Sequence, residues 1–314
     1  MQMSKLRTAV IGVGYLGKFH AEKYAMLENS DLVAVVDANA AIAKEIADKH
    51  GVQALTDYHE LLGKVDAVSI ATPTTTHHQI ARDFLEHNCH VLIEKPITVT
   101  VDEADDLIEL ALSHERVLQV GHLERFNAAL MDLGDTLETP TFIESHRLAP
   151  FNPRATDVNV ILDLMIHDID IILDIVKSDI KEIRASGTQV LTGSTDIANV
   201  RLEFENGCVA NVTASRVSTK TERKMRIFQH NAYISVDFHN RVLNVYKKGD
   251  KEMHPGIPEI IGEESTYDNS DALKLEIIAF LDSIQQDKPI LVSGEDGRRA
   301  LDAAIRISAL LKDN

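Results

Sequence analysis

Leu6-Arg7-Thr8-Ala9-Val10-Ile11-Gly12-Val13-Gly14-Tyr15-Leu16-Gly17 decides how the rest of the chain is organised. Leu6 to Ile11 has the apolar, partly β-branched character of a buried strand, and the glycine spacing after it opens a helix that runs to about Leu27. In such a turn Gly12 permits the tight bend, Gly14 lets the backbone approach a pyrophosphate, and Gly17 lets helix pack on strand. Tyr15 and Leu16 then lie at the helix N-terminus, whose amides and positive dipole end favour phosphate. The next strand, Leu32 to Val36, ends in Asp37, twenty residues after Gly17. A carboxylate there accepts hydrogen bonds from an adenosine ribose and repels a ribose phosphate, and Ala38, Asn39 and Ala40 supply no arginine to offset it. NAD is therefore expected rather than NADP; the alternative is that Asp37 only caps the following helix, Ala40 to Lys49.

The alternation continues. Asp66 to Ala71 reads as a strand, Thr72-Pro73-Thr74-Thr75-Thr76-His77 as a loop and His78 to His87 as a helix. Val91 to Ile93, Val101 to Glu115 and Val117 to Val120 give a further strand, helix and strand. Strands alternating with helices over short connections predict a doubly wound parallel sheet, a Rossmann domain over residues 1–122. Thr72 and Pro73 are placed to wall a cofactor groove, and His77 either touches the cofactor or faces solvent where the helix begins. Val91-Leu92-Ile93-Glu94-Lys95-Pro96 puts a charged pair at a strand's carboxyl end, where open α/β sheets hold their ligands.

The chain has 314 residues, which suits two domains and allows a sizeable core without disulfides. Its 49 acidic and 32 basic side chains, net charge −17, argue against nucleic-acid and anionic-membrane partners, which need a basic footprint. Cys89 and Cys208 are far apart and, like the scattered histidines, lack metal-ligand spacing, so no disulfide and no metal are expected, and a reducing cytoplasm is the expected location. Neither a signal peptide nor a membrane span is legible.

The glycine loop, Ala71-Thr72-Pro73, Glu94-Lys95-Pro96 and Gly121-His122, in this order, resemble the glucose-fructose oxidoreductase, inositol dehydrogenase and MocA family, two-domain enzymes that act on sugars and cyclic polyols with a nicotinamide cofactor. The resemblance implies that Lys95 lines the catalytic centre, that Glu94 faces the cofactor and that the peptide before Pro96 is cis. Leu123-Glu124-Arg125-Phe126-Asn127 resembles a branch in which this phrase continues with proline; Ala128 stands in its place here. Arg125 either reaches substrate or meets a carboxylate.

Residues 123–314 are expected to form an α+β domain with a large open, mainly antiparallel sheet. Thr141 to Leu148 reads as its first strand, and Pro150-Phe151-Asn152-Pro153-Arg154 as a loop. Ile161, Leu164, Met165, Ile169 and Ile172 follow helical spacing, which puts Asp163 and His167 four apart on one face. By spacing alone a surface pair explains them better; the resemblance implies instead that Asp-x-x-x-His is the family's second catalytic motif. Asp168 and Asp170 are expected to pair, cap or face water. Ile183 to Val190, Asp196 to Phe204, Cys208 to Ser215, Lys224 to Gln229, Ala232 to Phe238 and Arg241 to Lys247 read as strands, with Glu205-Asn206-Gly207 as a hairpin turn. Val200, Leu202, Val209 and Val212 are candidates for the face not covered by the domain's own helices, and the resemblance implies a homodimer or homotetramer through that face. Lys248 to Asn269 reads as an irregular lid or crossing segment, and Asp271 to Gln286 and Gly297 to Leu311 as helices.

The chemistry expected is hydride transfer between nicotinamide and a secondary hydroxyl of a sugar, with His167 as base, Lys95 holding the reacting oxygen and Asp163 orienting His167 or binding a neighbouring hydroxyl. Gly-His-x-Glu-Arg-Phe-Asn and Asp-Leu-Met-Ile-His-Asp-Ile-Asp resemble the branch that oxidises the 3-hydroxyl of UDP-N-acetylglucosamine, for which Arg147 and Arg154 are candidate diphosphate ligands. An inositol, polyol or free-sugar dehydrogenase is the alternative; a silent NAD-binding sensor or scaffold is the third reading, disfavoured by the intact Lys95, Asp163 and His167.

Overall fold

The computed structural model describes residues 4–152, 158–268 and 271–312. The chain divides into two compact units, Met1–Leu123 with Asp271–Leu301, and Glu124–Ser270 with Asp302–Asn314.

In the first unit six strands, β1 (Leu6–Ile11), β2 (Ser30–Val36), β3 (Gln53–Leu55), β4 (Ala67–Ile70), β5 (His90–Glu94) and β6 (Leu118–Gly121), form one sheet in the order β3-β2-β1-β4-β5-β6. Every pairing is parallel. The helices α1 (Gly17–Met26), α2 (Ala40–His50), α3 (His77–Glu86) and α4 (Val101–Ser113) alternate with them. The order reverses between β1 and β4, so the glycine loop after β1 and Ala71-Thr72-Pro73 after β4 meet at the switch point where such sheets bind ligands. Val10, Val35, Val68, Leu92 and Ile93 are fully or almost fully buried, the near-continuous apolar strands of a sheet covered on both faces.

In the second unit eight strands form a sheet in the order β14-β13-β12-β11-β7-β10-β9-β8. They are β7 (Pro140–Leu148), β8 (Ile180–Thr188), β9 (Ile197–Phe204), β10 (Val209–Ser215), β11 (Glu222–Gln229), β12 (Ala232–Asp237), β13 (Val242–His254) and β14 (Ile257–Thr266). Only β7 and β10 pair in parallel. A short helix α5 (Ala128–Met131) precedes β7, and a π turn, Ile161–Met165, leads into helix α6 (Ile166–Val176), which packs on β7 and β10. The expected hairpin turn is present, with Gly207 at φ +86° between β9 and β10.

Three expectations change here. Val200, Leu202 and Val212 are fully buried within the unit, on the covered face with Ala210, while Val209 lies on the other face among Asn199, Arg201, Asn211 and Thr213. The strands' alternation identifies two faces but not which one the helices cover. Lys248 to Thr266 is no lid: β13 and β14 make one long hairpin that turns at Pro255 and Gly256, where Gly256 has φ +77°. Charge is tolerated there because both strands are largely exposed. Finally, helix α7 (Ala272–Gln285) belongs to the first unit, since Ile277, Phe280 and Leu281 share a core with Val10, Tyr24, Val35 and Leu92. A division at residue 122 does not separate this helix from the residues that follow 123. Helix α8 (Gly294–Lys312) is where the second division falls. No helix among the described residues is long and apolar enough to cross a membrane.

Candidate active site

In the first unit the glycine loop is built as the spacing predicts. Gly12 has φ +84°, and a Cβ there would stand 2.8 Å from both the Ala71 carbonyl oxygen and Thr72 Cγ2. At Gly17 a Cβ would lie 1.7 Å from the Gly12 carbonyl oxygen, so neither position admits a side chain. Gly14 is different: a Cβ there would meet nothing within 4 Å, leaving the backbone open to a ligand. Helix α1 starts without a side-chain cap and without an acidic residue in its first turn, so no anion of the protein's own competes for its positive end. Tyr15 and Leu16 are exposed beside it.

Asp37 accepts the Val13 amide at 3.0 Å through one carboxylate oxygen and the Asn39 amide at 2.9 Å through the other. It does not cap α2. That role falls to Asn39, whose side chain accepts the Ala41 and Ile42 amides. The carboxylate thus anchors the glycine loop while each oxygen keeps a lone pair for a ribose hydroxyl. An open Gly14, an uncapped helix start and this carboxylate together fit a dinucleotide. Asp37→Ala is expected to weaken NAD about tenfold and NADP less, narrowing the preference; titration of both cofactors against both proteins checks it, and equal affinity of the unmutated protein for the two would refute the role given to Asp37.

His77 does not face solvent. It is buried, with Nδ1 3.0 Å from the Pro96 carbonyl and Nε2 2.9 Å from the Thr72 carbonyl. Burial pushes its pKa down, so the neutral ring donates to one carbonyl at a time and ties the loop after β4 to the cis Lys95-Pro96 peptide. The Thr76 hydroxyl lies 2.8 Å from both the Pro73 carbonyl oxygen and Thr72 Oγ1, and this pair of contacts fixes the same wall. Glu94 ends β5, bonded to His20 Nε2 at 2.9 Å, and Lys95 follows it, half-buried. Gly121 pairs with Glu94 across β5 and β6, and a Cβ there would come within 3.0 Å of the Glu94 carboxyl.

In the second unit Asp163 lies in the π turn and His167 in the first turn of α6, both half-buried. The Asn159 side chain accepts the Ile161 and Leu162 amides, which starts the turn. π turns inside helices recur at functional sites, and the apolar spacing did not distinguish this one from an α-helix.

Arg147 departs from its expected role. It is buried, with Nε 2.6 Å from Asp168 Oδ2, Nη2 3.3 Å from Asp168 Oδ1 and Nη1 2.9 Å from Glu124 Oε1. Ser145 donates to the same Asp168 at 2.8 Å. The guanidinium belongs to an internal network that pins α6 to β7, since strand alternation turns Ser145 and Arg147 to the covered face. Arg125, also largely buried, is 3.0 Å from Asp174 and 3.9 Å from Asp170, so it meets carboxylates. Arg154 lies outside the described residues. Two residues went unremarked in the sequence: His20, on the buried side of α1, and Glu276, on the apolar face of α7. The signal for Glu276 was a carboxylate at helical spacing among Leu273, Ile277 and Phe280.

Residues 6–122 match the model of the oxidoreductase family with NAD-binding Rossmann fold, and residues 132–235 the GFO/IDH/MocA C-terminal domain. UDP-N-acetylglucosamine 3-dehydrogenase of Acidithiobacillus ferrooxidans is 42% identical over 306 residues, 97% of each chain. A solved structure of that enzyme superposes with a TM-score of 0.91 at 40% identity, covering 99% of both chains. Myo-inositol 2-dehydrogenase of Thermotoga maritima is 27% identical over 94% of this chain and 93% of its own. Scyllo-inositol dehydrogenase from Lactobacillus casei, solved with NAD(H) and scyllo-inositol, shares the fold at a TM-score of 0.81 and 22% identity, covering 99% of this chain and 98% of its own. With its glycine loop, its Glu94-Lys95-Pro96 strand end and both halves matched, the chain belongs to the GFO/IDH/MocA family of NAD-binding oxidoreductases.

Proposed function

We propose that the protein transfers hydride between NAD and the 3-hydroxyl of UDP-N-acetylglucosamine. The observation that carries this is the 42% identity, over 97% of both chains, to an enzyme of that activity, against 27% to a myo-inositol dehydrogenase over a similar span. When bound, NAD supplies the hydride acceptor, C4 of its nicotinamide. The glycine loop holds the pyrophosphate, Asp37 the adenosine ribose, and Thr72, Pro73 and Glu94 the walls. His167 takes the hydroxyl proton onto a ring nitrogen, a group that titrates near working pH. Lys95 donates to the same oxygen and favours its growing negative charge. Asp163 orients His167 or accepts a neighbouring hydroxyl. Because Arg147 is bonded to Asp168 and Glu124, the diphosphate is assigned to Arg154.

The chain also associates with copies of itself in a reducing cytoplasm. Support for association comes from the outer face of the second sheet, where Phe142, Phe228, Tyr233 and Tyr246 follow one another across β7, β11, β12 and β13 with neighbouring ring centroids 5.0 to 5.8 Å apart, the last three stacked and the first tilted. Such an aromatic ladder is characteristic of contact surfaces. Buried, unbridged thiols at Cys89 and Cys208 suit a reducing location.

The test is a panel of nucleotide sugars, free sugars and inositols incubated with NAD while reduced nicotinamide is followed, with an amino-transfer partner present to trap the keto product. UDP-N-acetylglucosamine should give the largest signal, and Arg154→Ala should raise its KM about tenfold or more. Robust oxidation of an inositol with no response to any nucleotide sugar would replace the substrate and leave the fold and cofactor as they are.

A further inference from the structure

Helix α7 buries Ile277, Phe280 and Leu281, and with them, fully, Glu276. Neither carboxyl oxygen of Glu276 meets a hydrogen-bond donor. An ionised carboxylate in that position carries the desolvation penalty of an unpaired buried ion. Its surroundings add to the cost. The Glu94 carboxylate and the His20 ring each bring an atom within 4.8 Å of it and of one another. His20 Nε2 is already 2.9 Å from Glu94 Oε1, and His20 Nδ1 is buried without a partner. Polar groups near Glu276 include the Tyr24 hydroxyl on α1, bonded to Ser69 Oγ at 2.8 Å, and Gln119 on β6, whose Nε2 donates to the Glu276 main-chain carbonyl at 3.1 Å. Burial first, and then the Glu94 charge, push the Glu276 carboxyl well above the ordinary carboxylate range. Two carboxylates this close, one fully buried and the other largely so, do not both stay charged.

We propose that Glu276 is a positioning residue that carries the proton of a His20, Glu94 and Glu276 cluster: as a neutral carboxyl it donates towards Glu94, leaving Glu94 the cluster's single anion, with the His20 N–H on its other side. The gap from Glu276 to its neighbours is one that a bridging water or a small side-chain rotation closes. The arrangement places one defined negative charge at the end of β5, directly before Lys95. Resting on the reading that Glu94 faces the cofactor, that charge favours the oxidised nicotinamide, which is cationic, over the reduced ring, which is neutral.

Two measurements decide it. The infrared difference spectrum of the unmutated protein minus Glu276→Gln, at pH 8, should show the C=O stretch of a protonated carboxylic acid that responds to deuteration; paired carboxylate bands in its place would overturn the proposal. The second is NAD affinity against pH. A neutral donor stabilises the Glu94 anion, so Glu276→Leu should let Glu94 protonate earlier and move the acid limb of binding up by about one pH unit, while Glu276→Gln, which still donates, keeps the unmutated profile. Were Glu276 an anion, removing it would move the limb down in both variants. A downward or absent shift in Glu276→Leu, or a stoichiometric divalent cation in the purified protein, also refutes it. Should Glu276→Leu fail to fold, the infrared result on Glu276→Gln decides alone. That spectrum needs neither cofactor nor sugar, so its outcome is separate from that of the substrate panel.

Discussion

His167→Ala and Lys95→Ala are each expected to lower kcat by about a thousandfold, with NAD affinity changed less than about threefold. The magnitude follows from the roles. A positioned base contributes roughly 10² to 10⁴ in rate, and loss of one donor to a developing oxyanion costs roughly 10² to 10³. In the proposed roles both act where charge moves and not on the bound ground state, so kcat and kcat/KM should fall together. The pH profile separates the two. With His167 as base, the unmutated enzyme's kcat/KM should fall on the acid side as the ring takes a proton it must leave free. In Lys95→Ala that limb should persist at a lower plateau, whereas in His167→Ala it should vanish. Rates near those of the unmutated enzyme in either variant, measured by reduced nicotinamide with UDP-N-acetylglucosamine, would sink the assignment.

The first unit was legible in detail because its signals are local. Gly12 and Gly17 are required by close approach of backbone to backbone, and no tertiary context can substitute another residue there. Strand, turn and helix follow one another at fixed spacing, and Asp37 stands where the second strand must end. The second unit was legible as strands but less so as an arrangement. Which face of an alternating strand is covered depends on where a helix packs, so alternation alone does not tell that Val200, Leu202 and Val212 lie on the covered side. The hairpin of β13 and β14 was hidden because charge, proline and glycine mark loops and exposed strand edges alike.

For the site, residue types were legible while partners were not. A histidine at the start of a helix has no sequence mark that tells a cofactor contact from a clip between two loops, and His77 is the clip. Arg147 and Arg154 both precede α6 in sequence, and as cations they are equivalent candidates for anion ligands. Only strand parity distinguishes them: Arg147 shares its parity with Ile143 and Ser145, the covered side of β7, and that parity was available in the sequence once the covered face was known.

Arg147 also sets the largest expected effect on stability. Asp168→Ala should cost about 3–5 kcal/mol, because it leaves a guanidinium buried with Glu124 as its remaining carboxylate and leaves the Ser145 hydroxyl with only its long, 3.4 Å contact to the Lys224 carbonyl. Burial works against the charge on Arg147, and Asp168 and Glu124 together outweigh it, holding the group protonated; removing the larger of its two carboxylate contacts therefore cannot be relieved by losing a proton. Asp168→Asn should cost less, since its amide oxygen still accepts from the guanidinium. Replacing both partners with apolar groups of similar volume, Arg147→Met with Asp168→Leu, should recover most of the loss, as buried ion pairs contribute little net stability against a well-packed apolar pair. Urea unfolding of the four proteins tests this: a steep drop in midpoint for Asp168→Ala and a return towards the unmutated value for the double variant is the expected pattern. The same set tests function, because a structural arginine predicts that the double variant keeps its KM for the nucleotide sugar. If Arg147→Met with Asp168→Leu were stable yet raised that KM about a hundredfold, the loss of a diphosphate ligand would be the explanation, and the guanidinium would have to leave Asp168 when substrate binds.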